Sequence, residues 1–479
     1  MRQLYQACVT PVVDYASTVW HNPRRDKTHL RVLGTVQRTA LIRILSAFKT
    51  VAIPTLEVES HILPTRLRLK RRAQEVITSL CTLPRNHPIH TTLERAKRRS
   101  ENVKASPIFP LAETIKTMDL RRLNAIETID PRPLTPWTPP VFDEIRIDPD
   151  RDKAIEDAKA LASAPNTVVY SDASENQDHL GAAAVILDHD ENIMDSKQSS
   201  IGPKTHWSIH MAELIGIYLA LELIKTHSLG GEDGTILLPP KRTILCDSQS
   251  ALKAIANPLN RAGQQIVCAI FKITKDLKSV GISVRLQWIP GHCNNPGNDT
   301  ADRLAKEAVG LEKSHPFQHL SSREKQFYRD NIFTEWQNEW KDSSKGKHLR
   351  QIDAKLPSRH TRQLYDTLPR NRAYLLTQLR TGHSWLATHA KLHGFRDDDK
   401  CVCGGKETVV HVLVDCPQLR ELRQKLREKI GNSFNNISSM LGGEGKEVLN
   451  AVLDFAEASG RFYSRVPVRT RTQDASQTE

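Results

Sequence analysis

The chain has 479 residues, 39% of them hydrophobic, with a formal net charge of +13 and a pI near 9.3. That length and apolar content exclude a single small domain and supply about two to four domains. No run approaches the roughly 18–20 apolar residues of a membrane span, and the N-terminus lacks a secretory cleavage layout, so a soluble intracellular protein of nucleus or cytoplasm, without membrane contact, is expected.

Residues 1–128 read as a basic helical region. Leu30, Leu33, Val36, Leu41 and Ile44 recur near helical spacing, and "LPTRLRLKRRAQEVITSL" is an amphipathic basic helix whose charge serves equally as a solvated face or a polyanion contact. Residues 1–130 hold 22 Lys/Arg against 11 Asp/Glu, so most of the net charge lies there. Nucleic acid, if bound, is gripped mainly through this region. Six prolines in residues 129–149 make 129–160 a stiff linker.

From 161 to 312 strands alternate with helices. "NTVVYSDAS", "LGAAAVILD" and a weaker run near 193–201 predict an antiparallel meander. A long helix, "HWSIHMAELIGIYLALELIKTH", follows, and "RTILCD" and "SVRLQWIPGH" are further strands, each leading into a helix. Residues 313–460 are helical and enclose a compact Cys/His cluster at 401–416, and 461–479 is a disordered tail.

Functional groups in open α/β sheets gather beyond strand carboxyl ends. Asp172 closes "TVVYSD" and Asp247 closes "TILCD", although strand ends carry Asp as turn residues too. Glu213 is harder to dismiss: it shares a face with Ile209, Ile217 and Ala220 on a helix that is apolar nearly all round, where an unpaired carboxylate costs several kcal/mol. A buried salt bridge would satisfy it. The neighbouring strands, however, offer Asp172 and Asp247 rather than Lys or Arg, and such a group of acids calls for hard divalent cations, Mg²⁺ or Mn²⁺. "WIPGHCNNPGNDTADRLA" adds His292, Asp299 and Asp302 around one strand-to-helix junction, where Asn298 serves as N-cap and the helix dipole alone already favours acids.

"YSDAS", "HMAELIGI", "LCDSQSAL" and "WIPGHCNNPGNDTADRLA" resemble, in order and spacing, the four segments of the type 1 ribonuclease H family. The resemblance implies a mixed five-stranded α/β sheet with flanking helices, joined here to a helical N-terminal region and a small zinc-binding helical C-terminal region. It implies that Asp172, Glu213, Asp247 and Asp302 bind two Mg²⁺ ions, with Mn²⁺ as the alternative, and that His292, on a mobile loop, assists turnover. The expected activity is endonucleolytic cleavage of the RNA strand of RNA–DNA hybrids, leaving 5′-phosphates. Ser174, Glu213 and Asn257 are candidates for contacts to 2′-hydroxyls. Asp299 stands where the family usually has Glu. A catalytically idle nucleic-acid-binding remnant is the competing reading.

Cys401, Cys403, His411 and Cys416 form C-x-C-x7-H-x4-C, a complete tetrahedral Zn²⁺ set, with Gly404 and Gly405 allowing the turn. With "LYQACVTPVVDYASTVW" and "LTQLRTGHSWLATHAKLHG", the chain resembles the C-terminal part of non-LTR retrotransposon polyproteins, in which reverse transcriptase precedes ribonuclease H and a CCHC segment. The polymerase palm motif is missing, so a polymerase acting in trans is the implied partner, and no polymerase activity is expected from this chain.

Overall fold

The structure, a computed structural model, describes residues 1–23, 26–101, 110–132, 140–162, 168–188, 190–229, 241–312, 315–443 and 445–463. The tail expected from 461 onward lies almost wholly outside the described residues, as does the Pro-rich stretch 133–139. Two compact units result: one is Ala73–Arg329, the other combines Met1–Arg72 with Asp330–Glu479.

The first unit is built on a mixed sheet. Its strands are β1 (Glu144–Arg146), β2 (Val168–Asn176), β3 (His179–Leu187), β4 (Ile193–Pro203), β5 (Lys241–Cys246) and β6 (Ser283–Trp288), in the order β1-β6-β5-β2-β3-β4. β2, β3 and β4 form the expected antiparallel meander, while β5, β6 and β1 continue parallel to β2. Gln177 and Asp178, both at positive φ, make the two-residue turn between β2 and β3. That combination matches the right-handed twist of a hairpin.

Successive residues of β2 face two different cores. Val169 and Ala173 pack with the Ile209–Leu229 helix, whereas Val168 and Tyr170 pack with Ala301, Leu304 and Ala305 of the Pro296–Ala308 helix. A sheet covered on both faces has near-continuous apolar strands, and β3, "HLGAAAVIL", is buried from Leu180 to Ile186. Its small residues allow close approach. A Cβ on Gly181 would stand 2.2 Å from the Ala305 carbonyl oxygen.

Six strands replace the expected five, and the sixth comes from the stretch read as a linker. Glu144–Arg146 pairs with Arg285–Gln287, Val141 and Phe142 enter the core, and Arg151–Ala162 is a helix with Ala154 and Ala158 buried. Prolines confine their effect to their own neighbours. "VFDEIRI", lying between Pro140 and Pro149, keeps the alternation of a strand, and Asp150 accepts the Asp152 N–H to start the helix. Outside the sheet, Ile77, Ala96, Ile115, Leu123 and Tyr328 form a smaller helical cluster of the same unit.

The second unit is helical. Its main core joins Leu375, Leu376 and Leu379 of the Arg370–Thr381 helix to Leu413, Leu426, Val452 and Phe455. Arg380, fully buried, donates to both carboxylate oxygens of Glu59 and to Asp353. Such a pair is retained in a core only because each charge is fully answered. Among the described residues no helix is long and apolar enough to cross a membrane.

Candidate active site

Parallel pairing brings the first two carboxylates together. Ser171 of β2 is opposite Cys246 of β5, so Asp172 and Asp247 follow next to each other on adjacent strands. Asp247 lies just past its strand, as expected. Asp172 does not end β2: the strand runs four residues further, to Asn176, because Ala173–Asn176 stay paired with β3.

Glu213 arrives from the helix Ile209–Leu229, which packs across β2 and β3. The close approach depends on Gly216, whose Cβ, if present, would sit 3.1 Å from the Asp172 carbonyl oxygen. Asp302 comes from the helix Pro296–Ala308 and pairs with Lys306 one turn on, Nζ to Oδ2 at 2.6 Å.

The electrostatics show four acids sharing one site. Burial, the Asp247 charge and the more weakly felt Asp302 push the Asp172 carboxyl up to about 8, against the opposing hydrogen bond from the Ala173 N–H. Burial, then Asp172 and Asp247, raise Glu213 well above the usual carboxylate range. Asp247 is also raised, chiefly by burial, and the His292 imidazole works against that. Glu213 Oε2 is buried with no hydrogen-bond partner. Orphaned and mutually repelling carboxylates are the condition in which a divalent cation fits.

The donor set is hard. Cys246 lies within 4.8 Å of the Glu213 and Asp247 oxygens, but burial and the Glu213 charge raise its thiol far above its ordinary value. It stays protonated, leaving oxygen as the donor for a metal.

The loop before the last helix completes the site. Gly291 allows contact with Asp247, since a Cβ there would meet Oδ2 at 2.9 Å, and Arg151 donates to the Gly291 carbonyl. His292 is exposed and, like Asn294, adopts positive φ. The helix cap differs from the expected one. Asn295, not Asn298, is the N-cap: its side chain accepts the Asn298 N–H at 3.2 Å, with Pro296 at the first helical position. Asn298 is buried inside the first turn. Replacing Asn295 with Ala removes that cap. A loss of about 1 kcal/mol in urea denaturation is expected, and no change in midpoint would count against the capping role.

Ser174 lies on β2 two residues beyond Asp172 and is buried. Asn257 is exposed at the far end of the Gln249–Ala256 helix, away from the end where Asp247 lies. Asp299 is exposed in the first turn and acts electrostatically on Cys293. Lys306, beside Asp302, escapes the sequence reading, as does the hydrogen-bonded pair His210 and Ser250, Nδ1 to Oγ at 2.9 Å, on the two helices that follow β4 and Asp247. Helical spacing carried the signal, since Lys306 follows Asp302 by four and His210 precedes Glu213 by three.

In the helical unit, Cys401, Cys403, His411 and Cys416 place their ligand atoms within 4.8 Å of one another. The Cys401 and Cys416 sulfurs are 3.7 Å apart and Cys403 Sγ lies 3.2 Å from His411 Nε2. Thiolates around a tetrahedral zinc with bonds near 2.3 Å stand roughly 3.8 Å apart, so the four residues can hold that ion. Gly404 is at φ +90°, and a Cβ on Gly405 would press on the His411 ring at 3.1 Å. Both glycines are required by the turn.

The mixed sheet with its flanking helices is a ribonuclease H-like fold, and residues 164–310 match the sequence model of the RNase H family. No curated protein matches the chain. Similar solved structures include RNase H1 from Halobacterium salinarum, 17% identical with a TM-score of 0.23, covering 30% of this chain and 96% of that one. Another is the N-terminal RNase H domain of a Mycobacterium tuberculosis protein, 18% identical, TM-score 0.23, covering 30% and 91%. The foamy viral protease-reverse transcriptase in complex with RNA/DNA hybrid is 14% identical, TM-score 0.24, covering 46% and 28%.

Proposed function

We propose that the chain is a divalent-metal-dependent ribonuclease H that hydrolyses the RNA strand of RNA–DNA hybrids. The observation that carries this reading is the convergence of Asp172, Glu213, Asp247 and Asp302 in a segment that matches the RNase H family. Asp172, Glu213, Asp247 and Asp302 would hold two Mg²⁺ or Mn²⁺ ions. When bound, the ions supply the charge that activates water and stabilises the leaving 3′-oxygen of an in-line displacement at phosphorus.

The chain's own groups divide the remaining work. The carboxylates fix where positive charge sits relative to the scissile phosphate. Lys306, resting on Asp302, answers part of the acidic charge. His292, on an exposed loop within electrostatic reach of Asp247, is placed to move a proton as the product leaves. Ser174 and Glu213, with Asn257 further out, are the contacts we assign to 2′-hydroxyls.

Around this domain we place a retrotransposon-type reverse-transcriptase context, supported by the order of a basic N-terminal region, the RNase H segment and the four-ligand Cys/His cluster. The cluster takes Zn²⁺ structurally, the N-terminal region holds nucleic acid, and a reverse transcriptase joins in trans. The test is a labelled hybrid incubated with the full chain and Mg²⁺, beside single-stranded and duplex RNA. Cleavage confined to the hybrid, with 5′-phosphate ends, is expected. An RNA strand left intact would instead identify a nucleic-acid-binding remnant.

A further inference from the structure

A second group of potential metal ligands lies in the helical unit and shares no residue with the Cys/His cluster. The Arg370–Thr381 helix ends at Gly382, at φ +74°, and the chain turns directly into His383. The short helix Ala387–Leu392 then carries His389, with His393 as its C-cap. A spacing of four puts those two imidazoles on one face. One ring nitrogen from each of His383, His389 and His393 lies within 4.8 Å of the others, and the rings of His389 stand 4.8 and 4.5 Å from those of His383 and His393.

The hydrogen bonds prepare these rings for a cation. His389 Nδ1 is 2.8 Å from the Ser384 carbonyl oxygen, which only accepts, so Nδ1 carries the proton and Nε2 presents a lone pair. Fixing one ring nitrogen on a backbone carbonyl is how metal-binding histidines are commonly oriented. His383 Nδ1 lies 3.1 Å from that Nε2, and Thr50 Oγ1 touches both, at 2.9 and 3.1 Å. His393 Nε2 is buried with no partner.

Hydrogen bonding among the rings can satisfy His383 and His389 but leaves the His393 nitrogen unanswered. A cation at the centre would answer all three. Nitrogens around a tetrahedral zinc, at bonds of about 2.0–2.1 Å, stand roughly 3.4 Å apart, close to the His383–His389 separation. The His383 and His389 rings border a cavity of about 400 Å³ that also meets His348, Thr388 and Glu407. Neither charged nor basic groups there compete: His348 is bonded to the Leu379 carbonyl, and the Glu407 carboxylate accepts from the Ala387 N–H and Arg461.

We propose that His383, His389 and His393 form a second divalent metal site, taking Zn²⁺ or a similar imidazole-preferring ion, with the cavity supplying a fourth, exchangeable ligand. Three imidazoles with an open position form a donor set distinct from the closed thiolate cluster.

The experiment counts zinc on the full chain by mass spectrometry after dialysis against Zn²⁺ and then buffer, with millimolar Mg²⁺ present so that the carboxylates do not take zinc. The double variant Cys401→Ser/Cys403→Ser should retain one zinc per chain, and adding His393→Ala or His383→Gln should remove it. Loading the double variant with Co²⁺ gives a second reading, independent of any histidine substitution: visible d–d absorption without sulfur-to-cobalt charge transfer. A double variant that carries no zinc and shows no such absorption overturns the proposal, as does a zinc that survives both histidine changes.

Discussion

Asp172→Asn is expected to slow RNA-strand cleavage about a thousandfold, equivalent to about 4 kcal/mol of barrier, while leaving the chain folded. The side chain keeps its shape and its position next to Asp247, so the hydrogen bond from the Ala173 N–H can remain. What goes is one of the negative charges that would hold the metal ions. Glu213→Gln should behave alike, since Glu213 is buried with an oxygen that has no protein partner. Single-turnover cleavage of a labelled hybrid at saturating Mg²⁺ measures the loss, and hybrid affinity measured in Ca²⁺ separates catalysis from binding. A variant that cleaves within tenfold of the parent would remove Asp172 from the mechanism.

The same substitution separates function from stability in opposite directions. An isolated buried carboxylate contributes nothing to folding and charges a desolvation penalty. Asp172→Asn should therefore make the metal-free protein more stable at neutral pH even as it abolishes turnover. Such opposition is what strained functional sites produce, and a purely structural aspartate would show the reverse.

How far these features are legible in the sequence depends on the range of the force that decides each. The apolar helix around Glu213 and the β-branched run before Asp247 carry their own periodicity, so both elements and both acids are readable locally. Asp172 is less so. "SDASEN" reads as a turn by composition, but pairing with the small residues Gly181–Ala183 of β3 holds it as strand, and no local rule contains that partner. β1 is hidden for a similar reason: three residues between prolines become a strand only because β6 offers a parallel edge.

The cap is a different kind of miss. Asn295 and Asn298 are equally suited to the role by residue type, and Pro296 decides between them, because proline favours the first helical position and so makes its predecessor the cap. That information was present in the sequence. The three histidines are the opposite case: His389 and His393 share a helical face by spacing, yet His383 and Thr50 join them only through tertiary folding.

In magnesium-free buffer, stability should fall as pH rises from about 4 to about 8, and Asp172→Asn should flatten that fall. Asp172 has an ordinary value of 3.8 and is held at about 8 in the folded chain. Between these values the folded state keeps a proton that the unfolded state has released. Stability changes with pH in proportion to protons bound unfolded minus folded, which here is negative, so the contribution is lost progressively up to about pH 8. Glu213 and Asp247 are raised in the same direction and steepen the decline. A gap of about four pH units sets a ceiling of about 5 kcal/mol for Asp172. Mg²⁺ binds the deprotonated site, so its stabilising effect should grow over the same range. Urea denaturation of parent and variant at several pH values, with and without Mg²⁺, gives by difference the contribution of Asp172 together with its coupling to Glu213 and Asp247, since distant titrating groups cancel. Parallel curves for the two proteins would show that Asp172 titrates normally in the fold, and the case for a metal-demanding cluster would lose its electrostatic basis.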